Sequence, residues 1–230
     1  IEPFDYATAG GLGAREAYGE NNGWIYRWDV PHNIADLIEL MGGKEAFRNN
    51  LETMYNTPLG EAKYVFYAQL PDHTGNVGQF SMANEPSMHI PYLYNYIGEP
   101  WRTQKRVRTL LDEWFRNDLM GLPGDEDGGG MSAFVVFSML GFYPITPGLP
   151  IYVIGTPMFE RAVIETGAGK SFEVIAHNYS PTNKYIQSAK LNGKDWTQSW
   201  FEHKELMNGG KLEFTMGNTP NKNWAADSVP

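Results

Sequence analysis

Between helix-like and strand-like text the chain carries one hard break, Tyr143-Pro144-Ile145-Thr146-Pro147-Gly148-Leu149-Pro150. Three prolines and a glycine in eight residues exclude a helix across it. Before the break the apolar spacing is helical. Ile34, Leu37, Ile38 and Met41 recur at i, i+3, i+4 and i+7, Phe47, Leu51, Met54 and Tyr55 follow suit, and Gly42-Gly43 separates the two runs. Val107, Leu110, Leu111, Trp114 and Phe115 form one apolar stripe after Pro100, with charged residues opposite. Residues 131–141 are apolar nearly all round, so that helix is expected to be covered on most sides. After the break, short runs such as Ile151-Tyr152-Val153-Ile154, Ser171-Phe172-Glu173-Val174-Ile175-Ala176 and Lys211-Leu212-Glu213-Phe214-Thr215 read as strands, and Asn192-Gly193 signals a two-residue hairpin. The expectation is an α+β chain with a helical part, 1–147, and an antiparallel β-strand segment, 148–230, belonging to a sandwich.

Composition narrows the function. With 18 Lys+Arg against 27 Asp+Glu the net charge is −9. No basic patch suits nucleic acid or an anionic membrane beyond a short stretch at 102–108, so neither partner is expected. Cysteine is absent, which removes disulfides, thiol nucleophiles and zinc–thiolate sites. The longest apolar run, around Phe134–Leu140, falls far short of the roughly 20 residues that span a bilayer. The chain starts at Ile1 with no basic, then apolar, leader, and reads as a fragment.

Polar residues concentrate in four loops: 16–28, 72–89, 98–104 and Gly124-Asp125-Glu126-Asp127-Gly128-Gly129-Gly130. Acids ahead of an apolar helix suit its N-terminus, where free N–H groups and the dipole favour negative charge; the same acids could be a carboxylate pair aimed into a cleft. An EF-hand starting at Asp125 fails, since its twelfth position is Val136 rather than Glu. Asn84-Glu85-Pro86 sets amide and carboxylate oxygens side by side, suiting a hard cation or sugar hydroxyls. Glu20 lies among amides beside Trp24, where a carboxyl pKa can be raised toward that of a general acid. Trp24, Tyr26, Trp28, Tyr92, Tyr94, Tyr96 and Trp101 could be core or sugar platforms. His32, His73 and His89 adjoin the loops without zinc-motif spacing, whereas His177 and His203 are expected at the surface.

Tyr18-Gly19-Glu20-Asn21, Trp28-Asp29-Val30-Pro31-His32-Asn33, Asn84-Glu85-Pro86, Pro91-Tyr92-Leu93-Tyr94-Asn95-Tyr96, Pro100-Trp101-Arg102-Thr103-Gln104, Gly124-Asp125-Glu126-Asp127-Gly128-Gly129 and Gly141-Phe142-Tyr143-Pro144 occur in an order that closely resembles glycoside hydrolase family ninety-two, the calcium-dependent exo-acting α-mannosidases common in gut Bacteroidetes. The resemblance implies the C-terminal part of an (α/α)6 barrel followed by a small antiparallel β-sandwich segment, with a missing N-terminal domain of the same protein. It implies an inverting mechanism releasing terminal α-linked mannose, with α-1,2 linkages first in order. Glu20 would be the general acid and Asp125 or Asp127 the general base, while Glu126 points elsewhere. Calcium (Ca2+) is the implied cofactor, with Asn84, Glu85 and Asp125 as candidate ligands; Trp24, His89 and Trp101 are candidate substrate contacts. Mannose-containing glycans are the implied partners, and the periplasm, cell surface or exterior the implied location. The chain departs from the family's Glu-Gly-Asn-Ala-Trp-Gln type of run in Glu20-Asn21-Asn22-Gly23-Trp24-Ile25. A non-catalytic carbohydrate-binding module and an (α/α)6 glycosidase of other specificity are the alternatives; keeping Glu20 with both aspartates argues against a mere binder.

Overall fold

The structure is a computed structural model that describes Tyr18 and residues 21–60, 74–167 and 169–230. Glu20 and His73 lie outside the described residues. The chain forms two compact units, residues 1–90 with 112–133, and residues 91–111 with 134–230.

In the first unit, Asn22 caps the short helix α1 (Gly23–Tyr26), its Oδ1 accepting from the Trp24 N–H. Asn33 caps α2 (Ile34–Leu40) in the same manner through the Asp36 N–H, and α3 (Lys44–Asn56) follows. The stop between α2 and α3 falls at Gly42 and Gly43, both at φ +94°, a conformation open to glycine and strained for other residues. The expected apolar rows face inward: Ile34, Leu37, Ile38, Phe47, Leu51, Met54 and Tyr55 are buried, and the Trp28 indole meets the Phe47 ring edge-on at 5.2 Å. A two-stranded hairpin, β1 (Asn76–Val77) with β2 (Phe80–Ser81), then leads into a 3-10 turn at Glu85–Ser87.

The second unit holds most of a 3-10 run, Ile90–Ile97, most of α4 (Pro100–Trp114) and the C-terminal part of α5 (Gly130–Leu140), which leads into the strands. β3 (Phe142–Tyr143), β4 (Ile151–Ile154) and β9 (Trp200–Glu202) make a three-stranded antiparallel sheet. β5 (Arg161–Gly167), β6 (Lys170–His177), β7 (Tyr185–Leu191), β8 (Lys194–Asp195) and β10 (Gly210–Gly217) make a second sheet in the order β5-β6-β10-β7-β8. Phe142, Ile154 and Phe201 of the first sheet share one core with Phe172, Val174, Ile186, Leu212 and Phe214 of the second. Asn192 and Gly193 both take positive φ, 51° and 79°, between the paired residues Leu191 and Lys194, as the hairpin signal requires.

Two expectations change. The second sheet is not wholly antiparallel: after helix α6 (His203–Asn208) returns the chain, β10 enters between β6 and β7, parallel to β6 and antiparallel to β7. Strand alternation tells which face is buried, and says nothing about which strand lies next door. Residues 131–140 do form a helix, yet Val136 is 57% exposed, so among the described residues its cover is incomplete. Helix–strand ties are made by buried polar side chains. Asn95 Nδ2 donates to the carbonyls of Ile154 and Ser199, Gln104 Oε1 accepts the Ile186 N–H, and Arg108 Nη2 donates to the Pro157 carbonyl at 2.6 Å.

Candidate active site

The acidic loop begins at Gly124 and ends at Gly130, and both glycines fit against the segment that carries Asn84 and Glu85. A Cβ on Gly124 would sit 2.5 Å from the Ala83 carbonyl oxygen; one on Gly130 would sit 2.9 Å from Glu85 Oε1. At Gly124 the clash is with backbone, so only glycine allows this approach; at Gly130 it is with the end of a side chain that can turn aside. Asp125-Glu126-Asp127-Gly128-Gly129 therefore arches from one end of the Ala83-Asn84-Glu85 segment to the other. The loop that carries Asp125 and Asp127 is thus anchored at its two ends on the segment that carries Asn84 and Glu85.

Within the arch the three acids divide their tasks. Glu126 serves the helix that follows, its Oε1 accepting the Ser132 N–H at 3.2 Å and its Oε2 the Ser132 hydroxyl at 2.9 Å. This satisfies free donors at the start of α5. Asp125 and Asp127 are exposed. Asp127 holds φ +47°, followed by Gly128 at +67° and Gly129 at +98°. A left-handed aspartate among left-handed glycines aims its carboxylate in a way ordinary helical or extended backbone would not.

Beneath the arch, Asn84 is buried, and among the described residues its Oδ1 has no hydrogen-bond partner; the Ser87 hydroxyl, three residues on, is in the same state. A buried acceptor left unmade costs about 1–3 kcal/mol, which a cation or a ligand hydroxyl would offset. Amide and carboxylate oxygens are the donors that calcium takes, so Asn84, Glu85 and Asp125 fit the implied metal. No three His, Cys, Asp or Glu side chains converge as a metal cluster among the described residues, so the fit leans on amide oxygen as well as carboxylate.

His89 is buried and its Nε2–H donates to the Trp28 carbonyl at 2.8 Å. Burial lowers its pKa, outweighing the raising effects of the Trp28 carbonyl, the Asp29 charge and the Pro86 backbone. The imidazole is thus held neutral as a tie between the Trp28-Asp29 loop and the turn after Glu85. Trp24 is half-buried in α1. Trp28, Tyr92 and Tyr94 are fully buried, which assigns them to the core rather than to sugar platforms. Trp101 lies in the second unit with the Arg102 guanidinium 4.4 Å and the Lys222 ammonium 5.5 Å from its ring centroid. Sequence reading missed Ser87, Ser132 and the Trp28–His89 bond. The glycines flanking the acidic run were the visible signal for the close approach, whereas a buried serine hydroxyl leaves no mark in the sequence.

With that geometry in place, comparison with known proteins defines the class. Residues 1–218 match the glycosyl hydrolase family 92 catalytic domain. The chain belongs to that family. A family GH92 α-mannosidase of Bacteroides thetaiotaomicron, solved in complex with mannoimidazole, is 34% identical with a TM-score of 0.91 over 100% of this chain and 30% of its own. A family GH92 inverting mannosidase from the same species is 36% identical, TM-score 0.80, over 93% of this chain and 30% of its own. An uncharacterized secreted glycosidase of Arthroderma benhamiae is 34% identical over 207 residues, 89% of this chain and 24% of the relative. The chain thus spans 24–30% of the length of these relatives. The mixed α and β architecture matches theirs.

Proposed function

We propose that the protein carrying these residues is an exo-acting glycosidase that releases terminal α-linked mannose, α-1,2 linkages first, from N-glycans or mannans, with inversion. The observation that supports the reading is that the loop carrying Asp125 and Asp127 packs at Gly124 and Gly130 against the segment carrying Asn84 and Glu85. Family membership and the names of the solved relatives, one an inverting mannosidase and one holding mannoimidazole, support it. We assign residues 1–147 to the last helix pairs of an (α/α)6 barrel and 148–230 to its closing β-segment. The secreted relative supports export, to periplasm, cell surface or medium; no helix among the described residues is long and apolar enough to cross a membrane.

Inversion needs one acid to protonate the departing oxygen and one base to activate water on the other face of the sugar. Glu20 supplies the proton. Asp127, exposed and fixed by its left-handed backbone, accepts the proton from water, and Asp125 shares its charge between that step and the cation side. Asn84, Glu85 and Asp125 would hold calcium, whose chemistry when bound is to draw the O2 and O3 hydroxyls of the terminal mannose and favour a distorted ring. His89 keeps two of the loops at a fixed spacing, so that its part is positional. Trp24 and Trp101 are the residues we assign to substrate contact.

The test is kinetic. In the full-length protein, Glu20→Gln and Asp127→Asn should each lower kcat on α-1,2-mannobiose by about 10²–10⁴, the usual share of a general acid or base. Unchanged turnover in either would remove that residue from its role.

A further inference from the structure

The face of the second sheet that turns away from the core carries a polar recess. The strand order sets β6, β10 and β7 side by side at the centre of that sheet. Val174 and Ala176 of β6, Leu212 and Phe214 of β10, and Ala189 and Leu191 of β7 are buried in the core. The alternate residues His177, Glu213, Thr215, Ser188 and Lys190 therefore stand on the opposite face. These five, with Ala189, line a cavity of about 170 Å³. All of them belong to the second unit, and none comes from the acidic loop or the Asn84-Glu85 segment.

The ladders fix how these groups face one another. Thr215 of β10 pairs with His177 on one side and with Ser188 on the other, and Glu213 pairs with Lys190. β7 reaches this arrangement through a bulge: Thr215 pairs with Ser188 and Met216 with Ile186, which leaves Gln187 as the extra residue. That residue lets Ile186 join Ala189 and Leu191 in the core without turning Ser188 and Lys190 inward. Gln187 Nε2 donates to the Thr219 carbonyl at 2.9 Å, and the Gln187 carbonyl accepts from Asn221 Nδ2 at 2.8 Å, so the bulge is held on both sides. Three hydrogen-bonded strands thus carry the recess, and a ligand meets groups already in place.

Its lining offers two hydroxyls, an ammonium, a carboxylate and an imidazole, with His177 Nε2 3.6 Å from Glu213 Oε1. Glu213 repels an oxyanion and Lys190 repels a metal cation. A neutral polyol suits both, one hydroxyl donating to the carboxylate and another oxygen accepting from the ammonium. Side chains opposite each other on neighbouring strands stand about 5 Å apart at Cβ, a spacing that the oxygens of a single sugar ring reach together. The volume is below the roughly 300–1,000 Å³ of drug-sized clefts and takes one ring. No Trp, Tyr or Phe among the described residues lines it, so one sugar binds weakly and repetition along a polymer supplies the avidity.

We propose that this recess binds one neutral hexose of a polysaccharide, as a non-catalytic site that keeps the polymer on the protein. The choice of mannose as the sugar rests on the mannosidase reading above; the chemistry of the recess does not. The experiment is affinity electrophoresis of the full-length protein through gels holding α-mannan, beside sugar-free and dextran sulfate gels. Lys190→Met and Ser188→Ala, both at exposed positions, should raise the dissociation constant for mannan about tenfold and about fivefold, the factors of one charge-assisted and one neutral hydrogen bond, while kcat/KM for α-mannobiose stays unchanged. Thermal unfolding checks that both variants are folded. Equal retardation of native and variant proteins, or a loss of mannobiose turnover as large as the loss of retardation, would overturn the site. Retardation by dextran sulfate alone, abolished in Lys190→Met, would make it an anion site and overturn the neutral-sugar assignment. Should the unaltered protein leave mannobiose intact, the mannosidase reading fails separately. Gels of β-glucan and galactan then decide the recess: retardation in either, relieved by both variants, supports it, and retardation in none overturns it.

Discussion

Asp127 holds φ +47°, a conformation that disfavours side chains other than glycine by about 1–2 kcal/mol per residue, less for aspartate. Strain of this kind persists where the surroundings over-determine it, and here the glycine contacts at both ends of the arch do so. His89 shows the opposite economy, a titratable group kept silent. Its pKa is lowered by burial, so in the window from its folded value up to about 6.5 the unfolded chain binds the proton and the folded chain does not. Stability from this group is complete above about pH 6.5 and is lost as pH falls through the folded pKa. His89→Gln, whose amide can still donate to the Trp28 carbonyl, should flatten that slope. Urea midpoints between pH 7.5 and 5 check it, and parallel curves for the two proteins would refute the tie.

Among the elements, the arch makes the sharpest forecast. Gly124 and Gly128 share nearly the same backbone, φ +71° and +67°, but a Cβ meets the Ala83 carbonyl at Gly124 and nothing within 4 Å at Gly128. Gly128→Ala should cost about 1 kcal/mol, the left-handed penalty alone. Gly124→Ala should cost about 2–3 kcal/mol and also weaken calcium binding, because the Asn84 segment must move. Equal losses in stability and calcium affinity, read by thermal unfolding and calorimetry, would contradict the pinned arch. Glu126→Ala should lower stability by about 1 kcal/mol through loss of its two bonds to Ser132. The same scale shows what was legible. Helices α2, α3, α4 and α5 follow from apolar spacing and glycine or proline punctuation, and the Asn192-Gly193 hairpin from the backbone it demands. The parallel β6–β10 pair and the 3-10 run carrying Tyr92 and Tyr94 were not legible, because neighbour choice and local winding are set by distant packing. The candidate carboxylates could be found as residue types in loops; that the two loops pack together depends on Gly124 and Gly130 touching a segment some forty residues earlier.

At the scale of the chain, the net charge of −9 favours neutral ligands and cations over polyanions. The family model covers nearly all of the chain, while the chain covers about 30% of the length of the solved relatives. Asn84 Oδ1, without a hydrogen-bond partner among the described residues, would tie the local geometry to the proposed activity, since a cation held there would stabilise the folded protein as well as the sugar. The thermal midpoint should therefore rise with calcium in the native protein and rise less in Asn84→Ala. The most direct measurement is release of mannose from α-1,2-mannobiose by the full-length protein, before and after chelation. The account predicts release that stops with the chelator and returns with calcium; release indifferent to the chelator would contradict the cation's place beneath the arch, and no release from any α-mannoside would contradict the mannosidase itself.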